Sequence, residues 1–113
     1  MKNLLLFVFL LISCSDGHVP TIKIVEYKTY DTPAKSQLSI RVILPDASES
    51  EVRSVMKDIF DKALSTRLKY HPQPTHIFLY AYRDSASIKS ANWIAKQEKN
   101  QDVIGILEMN TVK

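Results

Sequence analysis

One cysteine, two glycines, three histidines and one tryptophan are spread over 113 residues, and each scarcity removes a class of chemistry. A lone thiol at Cys14 excludes an internal disulfide framework and a cysteine metal site, so stability has to come from burial. Gly17 and Gly105 stand far apart and leave no glycine-rich loop to cradle a phosphate. The imidazoles His18, His71 and His76 lack the His-x-x-x-His and His-Glu-x-x-His spacings of a zinc site. Basic residues form no block or stripe; they alternate with acids, as from Glu49 to Arg53 and at Lys57 and Asp58, which is the pattern of a solvated helix face and argues against nucleic acid. No apolar run reaches the roughly 20 residues that a membrane-spanning helix needs.

What the chain does have is an address. Lys2 precedes an unbroken apolar run from Leu4 to Ile12, with the small residue Ser13 before Cys14, the layout of a cleaved export signal. The four residues Leu11, Ile12, Ser13 and Cys14 resemble the lipobox of bacterial lipoproteins, in which a branched apolar residue, a variable residue and a small residue precede the cysteine. Ile12 and Ser13 stand where many members carry Ala or Gly. The resemblance is confined to this leader. It implies that Cys14 is alkylated with diacylglycerol and becomes the first residue of the mature chain. Each buried methylene of the acyl chains adds about 0.8 kcal/mol of membrane affinity, so two or three chains make a lasting anchor. It also implies a location: Ser15 after the cysteine points to the outer membrane rather than the inner one in a Gram-negative host.

These readings divide the chain into a cleaved signal peptide, residues 1–13, a lipidated tether, residues 14–20, and a single domain, residues 21–113. The tether reaches at most about 25 Å when extended, which keeps the domain close to its membrane. Without the leader the chain carries 14 Lys and Arg against 12 acids, because Lys2 is the one leader charge. A hundred residues suffice for one core.

From Thr21 to Tyr30 β-branched and aromatic residues predict a strand with a bulge, placing Ile22 and Ile24 on one face and Val25, Tyr27 and Thr29 on the other. Asp31 to Ser36 supplies turn chemistry around Pro33. The alternation of Leu38, Ile40, Val42 and Leu44 predicts a second strand, Gln37 to Leu44. Ser48 and Glu51 form a capping box for a helix with an apolar stripe from Val52 to Leu68, which must end before Pro72 and Pro74. Thr75 to Tyr82, apolar on both faces, predicts a central strand. A second helix is expected from Ala86 to about Glu98, capped by Asp84 or Ser85, and a fourth strand from Asp102 to Asn110 in which Gly105 either weakens pairing or permits a close approach. The order ββαβαβ predicts an α+β two-layer sandwich, a four-stranded sheet with two helices on one face.

Candidate sites are few. Ser85 and Ser87 beside Asp84 fit helix capping better than nucleophilic catalysis. Tyr27, Arg41, Phe78, Tyr80 and Tyr82 are candidates for a binding face opposite the helices, because aromatic residues and Arg are enriched in interface hot spots; equally, they could be cross-strand packing pairs. Trp93 falls off the helical stripe and is expected to plug the sheet edge. No cofactor and no metal site is expected. Two functions stay open: a non-catalytic, membrane-anchored module that binds a cell-envelope protein, as an assembly factor, an immunity or exclusion protein or a pilotin-like escort, and a tethered hydrolase or cell-wall enzyme whose groups, such as His71, His76 and Asp84, converge in the fold.

Overall fold

Period-two apolar patterns and one strong helical stripe organise the chain. A computed structural model describes residues 20–110, and Cys14 with the lipobox lies outside them. The strands are β1 (Lys23–Asp31), β2 (Ser36–Ile43), β3 (His76–Tyr82), β4 (Ala95–Asn100), β5 (Val103–Ile104) and β6 (Glu108–Met109), with helices α1 (Glu49–Leu64) and α2 (Ser85–Lys89). They form one six-stranded mixed sheet in the order β1-β2-β3-β4-β5, with β6 also paired to β4. β1 and β2 make an antiparallel hairpin, β2 and β3 run parallel, and β4 is antiparallel to β3, β5 and β6.

Parallel neighbours need a crossover, and α1 supplies it. Its start is fixed by the expected capping box: the Glu51 N–H donates to Ser48 Oγ at 3.3 Å while the Ser48 N–H donates to Glu51 Oε1 at 2.8 Å. Arg83 holds the approach to the helix by donating to the carbonyls of Leu44 (2.9 Å) and Ala47 (2.8 Å). Three i,i+4 ion pairs, Arg53–Glu49, Lys57–Asp61 and Lys62–Asp58, decorate the solvent side and are worth about 0.3–0.5 kcal/mol each. The buried side, Val52, Val55, Met56, Phe60 and Ala63, packs on Leu38, Ile40, Val42, Ile77, Leu79, Ala81 and Ala95 of the sheet. At the other end the Ser65 and Thr66 hydroxyls donate to the Asp61 and Lys62 carbonyls, so the helix stops at Leu64 and Leu68 lies beyond it.

The expected four-stranded sheet with two helices on one face is not what forms. Residues 86–98 do not make a helix: α2 has five residues, capped by Asp84, whose carboxylate accepts from the Ser87 N–H at 2.8 Å. Ala91 then turns the chain with φ 60°. Residues 95–100 become β4, although Lys96, Gln97, Glu98 and Lys99 favour helix intrinsically. Hydrogen bonding on both edges, to β3 on one side and to β5 and β6 on the other, together with burial of Ala95 and Lys99, outweighs that local preference. The strand expected from Asp102 to Asn110 is correspondingly broken. A turn at Gln101 and Asp102 leads into β5, and the Gly105 N–H donates to the Glu98 carbonyl at 2.8 Å. A Cβ at Gly105 would lie 3.0 Å from that same oxygen, so glycine here serves the close approach.

The capping box offers a direct check on α1. Ser48→Ala should lower the unfolding free energy by about 0.5–2 kcal/mol, read from the denaturant midpoint at constant m-value.

Candidate functional site

With α1 on one face, the register of the ladders assigns what lies on the other. Glu26, Arg41, Tyr80 and Lys96 form one row across β1 to β4, and Lys28, Ser39, Phe78 and Glu98 form the next. Arg41, Phe78, Tyr80 and Tyr82 therefore share the face that the helix leaves uncovered. Tyr27 does not. A β-bulge between Ile24 and Glu26 inserts Val25, so Ile24 pairs with Val42 and Tyr27 with Ile40, which puts both on the helix side of the sheet. α1 does not reach that far, and the Tyr27 ring stays 53% exposed.

The uncovered face is organised around Tyr80. Its hydroxyl donates to Glu98 Oε2, the Trp93 ring meets it edge to face at 6.4 Å between centroids, and the Lys96 ammonium lies 5.8 Å from its ring and 5.0 Å from that of Trp93. Trp93 thus joins this face from the segment before β4 and does not sit on a helix. Burial, reinforced by the bond to the Glu98 carboxylate, pushes the Tyr80 phenol up to about 12. Burial also raises Tyr82, which is only 4% exposed, beside the ion pair of Arg41 with Glu26 at 3.3 Å. Partly buried rings flanked by cations and carboxylates can pack against an apolar side chain while exchanging charged hydrogen bonds.

A second cluster sits at the far end of β2. Ser36 Oγ lies 2.5 Å from Asp31 Oδ1 and 2.6 Å from His71 Nδ1, and the Lys69 N–H donates to Asp31 Oδ2 at 2.9 Å. The residue types are those of a hydrolase triad, but the wiring is reversed. Serine stands between the acid and the base, so its one proton goes to the carboxylate and its oxygen accepts from Nδ1–H, whereas a nucleophilic serine must donate to histidine. Ser36 is also 0% exposed. The cluster is a clasp that ties the β1–β2 turn to the loop preceding β3, and the Thr75 hydroxyl completes it by accepting from the Ser36 N–H at 2.9 Å. The Ser36 hydroxyl, aided by the Lys69 amide, holds the Asp31 carboxyl below its ordinary value.

His71, His76 and Asp84 do not converge. The histidines lie before and at the start of β3, and Asp84 follows its other end. The depression beside the hairpin is wide open and contains none of them; Lys28, Tyr30, Lys35 and Gln37 are among its lining. Among the described residues no group of three or more His, Cys, Asp or Glu is placed to hold a metal ion. Sequence reasoning missed the contributions of Lys96, Glu98 and Trp93 because it put them on a helix, and the segment from Ala95 to Asn100 carries no apolar alternation that would have marked a strand. The Ser36 clasp joins residues 35 positions apart and had no local signature. Comparison with known families, curated proteins and solved structures gave no match for this chain.

Two titrations test these assignments. Asp31, with a depressed folded pKa, contributes stability that is present above its ordinary value of 3.8 and fades as pH falls through the folded value. Asp31→Asn should therefore be less stable than the native chain near neutrality, with the gap narrowing as pH falls below 3.8 in chemical denaturation. Tyr80, with a raised pKa, contributes stability below its ordinary value of 10.0 that is lost as pH rises toward about 12. Tyr80→Phe should remove that late ionisation from the tyrosinate absorbance titration.

Proposed function

We propose that this chain is a lipid-anchored protein of the bacterial cell envelope that binds a protein partner through the uncovered face of its sheet and catalyses no reaction. The observation that carries the binding role is the cluster of Arg41, Phe78, Tyr80, Trp93, Lys96 and Glu98, where rings and paired charges occupy an open sheet face. Aromatic residues and Arg at the centre of such a patch supply most of the binding energy in protein interfaces, while surrounding charges set register and exclude wrong partners.

The envelope location rests on the leader. Leu11, Ile12, Ser13 and Cys14 follow the apolar run in lipobox order, and the short tether brings the domain within about 25 Å of the bilayer surface. Among the described residues no helix is long and apolar enough to cross a membrane; the attachment we propose is the acyl group on Cys14. The role we propose is that of an assembly factor, an immunity or exclusion protein or a pilotin-like escort. The hydrolase alternative draws on the Asp31, Ser36 and His71 cluster, and it requires Ser36 to leave full burial and exchange its hydrogen bonds.

Two measurements separate these readings. Cys14→Ser should release the protein from membranes or leave its precursor uncut; unchanged fractionation would refute the anchor. A photocrosslinking residue in place of Arg41 should capture an envelope protein in native membranes, whereas the same residue in place of Lys57 on the solvent side of α1 should not. Equal yields from the two positions would remove the case for this face.

A further inference from the structure

β1 is the longest strand and ends the sheet, and among the described residues nothing pairs with its outer edge. Long, exposed edge strands are templates for another strand, and most proteins blunt them. This one also concentrates exposed apolar surface: Ile24, Val25, Tyr27 and Tyr30 all stand out in solvent along its nine residues. The helix that buries the sheet packs over β3 and β4 and leaves β1 bare on that side.

The charges of the strand carry the information about what covers it. Glu26 and Lys28 flank Tyr27 directly, with opposite signs. The bulge separates the outer charges, placing Lys23 opposite Ile43 on the uncovered face and Asp31 opposite Ser36 on the helix side, so the complementarity rests on the inner pair. A strand with that inner pair is complementary to a second copy of itself laid antiparallel, because a two-fold axis through Tyr27 sets Glu26 of each copy opposite Lys28 of the other. Glu26 and Lys28 both lie on the uncovered face, opposite Arg41 and Ser39. Directly opposed charges of unlike sign stabilise a strand pair, and like charges destabilise it. Among the described residues Glu26 is paired with Arg41, and Lys28 has no ion-pair partner. A second copy laid antiparallel supplies one.

We infer that β1 is the interface of a symmetric dimer of this chain, in which two β1 strands pair antiparallel about Tyr27 and join the two sheets edge to edge. Glu26 of each copy meets Lys28 of the other on the uncovered face, in line with Arg41. On the helix side Tyr27 packs against Tyr27 of the second copy, in the gap between the two helices, with Ile24 beside it. The bulge at Val25 bends the strand so that both of these apolar side chains fall in the same gap. The inference does not depend on the anchor or on a heterologous partner.

The test uses the full chain in detergent micelles and reads mass by light scattering. The native chain should be dimeric at micromolar concentration, and Lys28→Glu, which sets carboxylates against each other at two symmetric positions, should weaken the dimer about tenfold or more. Mixing the Lys28→Glu chain with a Glu26→Lys chain restores both opposite-charge contacts and should restore the dimer. Independently, Tyr27→Cys places two thiols at the axis, where oxidation should give a covalent dimer beyond any formed through Cys14 in the native chain; Lys57→Cys should not. The Lys28→Glu and Tyr27→Cys results stand even if Glu26→Lys fails to fold for want of its Arg41 partner. A native chain that is monomeric overturns the inference. So does a dimer indifferent to Lys28→Glu, as one formed through the exposed Val103, Ile104 and Ile106 at the other edge would be, and so does a β1 strand that crosslinks to a different protein in place of itself.

Discussion

Parallel pairing of β2 with β3 is the constraint from which the remaining structure follows, because two parallel neighbours cannot be joined by a turn and require a crossover that has to be buried on the way. α1 is that crossover. Once it lies across the sheet, Leu38, Ile40 and Val42 of β2 and Ile77, Leu79 and Ala81 of β3 become the floor of one core, with Val52, Met56 and Phe60 as its roof. The same act decides the other face. Arg41, Phe78, Tyr80 and Tyr82 occupy the alternate positions of the same two strands, and among the described residues no second layer of secondary structure lies over them.

Polar groups then lock the ends of this two-strand unit. Ser36, Asp31, His71 and Thr75 hold the entry of β2 to the entry of β3, while Arg83 ties the exit of β3 to the carbonyls that lead into α1. Residues that could be mistaken for catalytic machinery are thereby explained by connectivity. A hairpin turn and a proline-bearing loop leave buried polar groups at the point where they meet, and serine, aspartate and histidine satisfy one another there.

The two surfaces that stay open differ in kind. The face around Tyr80 offers rings and charges already paired within the chain. The edge of β1 has no strand partner among the described residues and carries Glu26 and Lys28 side by side on the uncovered face. In the dimer inferred above, the two uncovered faces lie on the same side of a continuous sheet.

The strongest periodicities were legible without tertiary information. The capping box at Ser48 and Glu51, the stripe of α1, the alternation in β2 and the two-sided apolar character of β3 each report a local requirement that the fold then respects. The bulge in β1 was legible as an irregularity, but its position was not, and one inserted residue was enough to move Tyr27 from the candidate face to the helix side. Residues 86–98 were misread because Lys, Gln and Glu favour helix in isolation, while their actual conformation depends on strands that lie on either side only after folding. The sequence determined by itself where the helix begins, which strands have a buried face and what precedes Cys14, since these are written in neighbouring residues. Tertiary structure alone decided that residues 95–100 are a strand, that Ser36 meets His71 and that Trp93 joins Tyr80, because those contacts join segments whose proximity is set by the sheet and by no local preference.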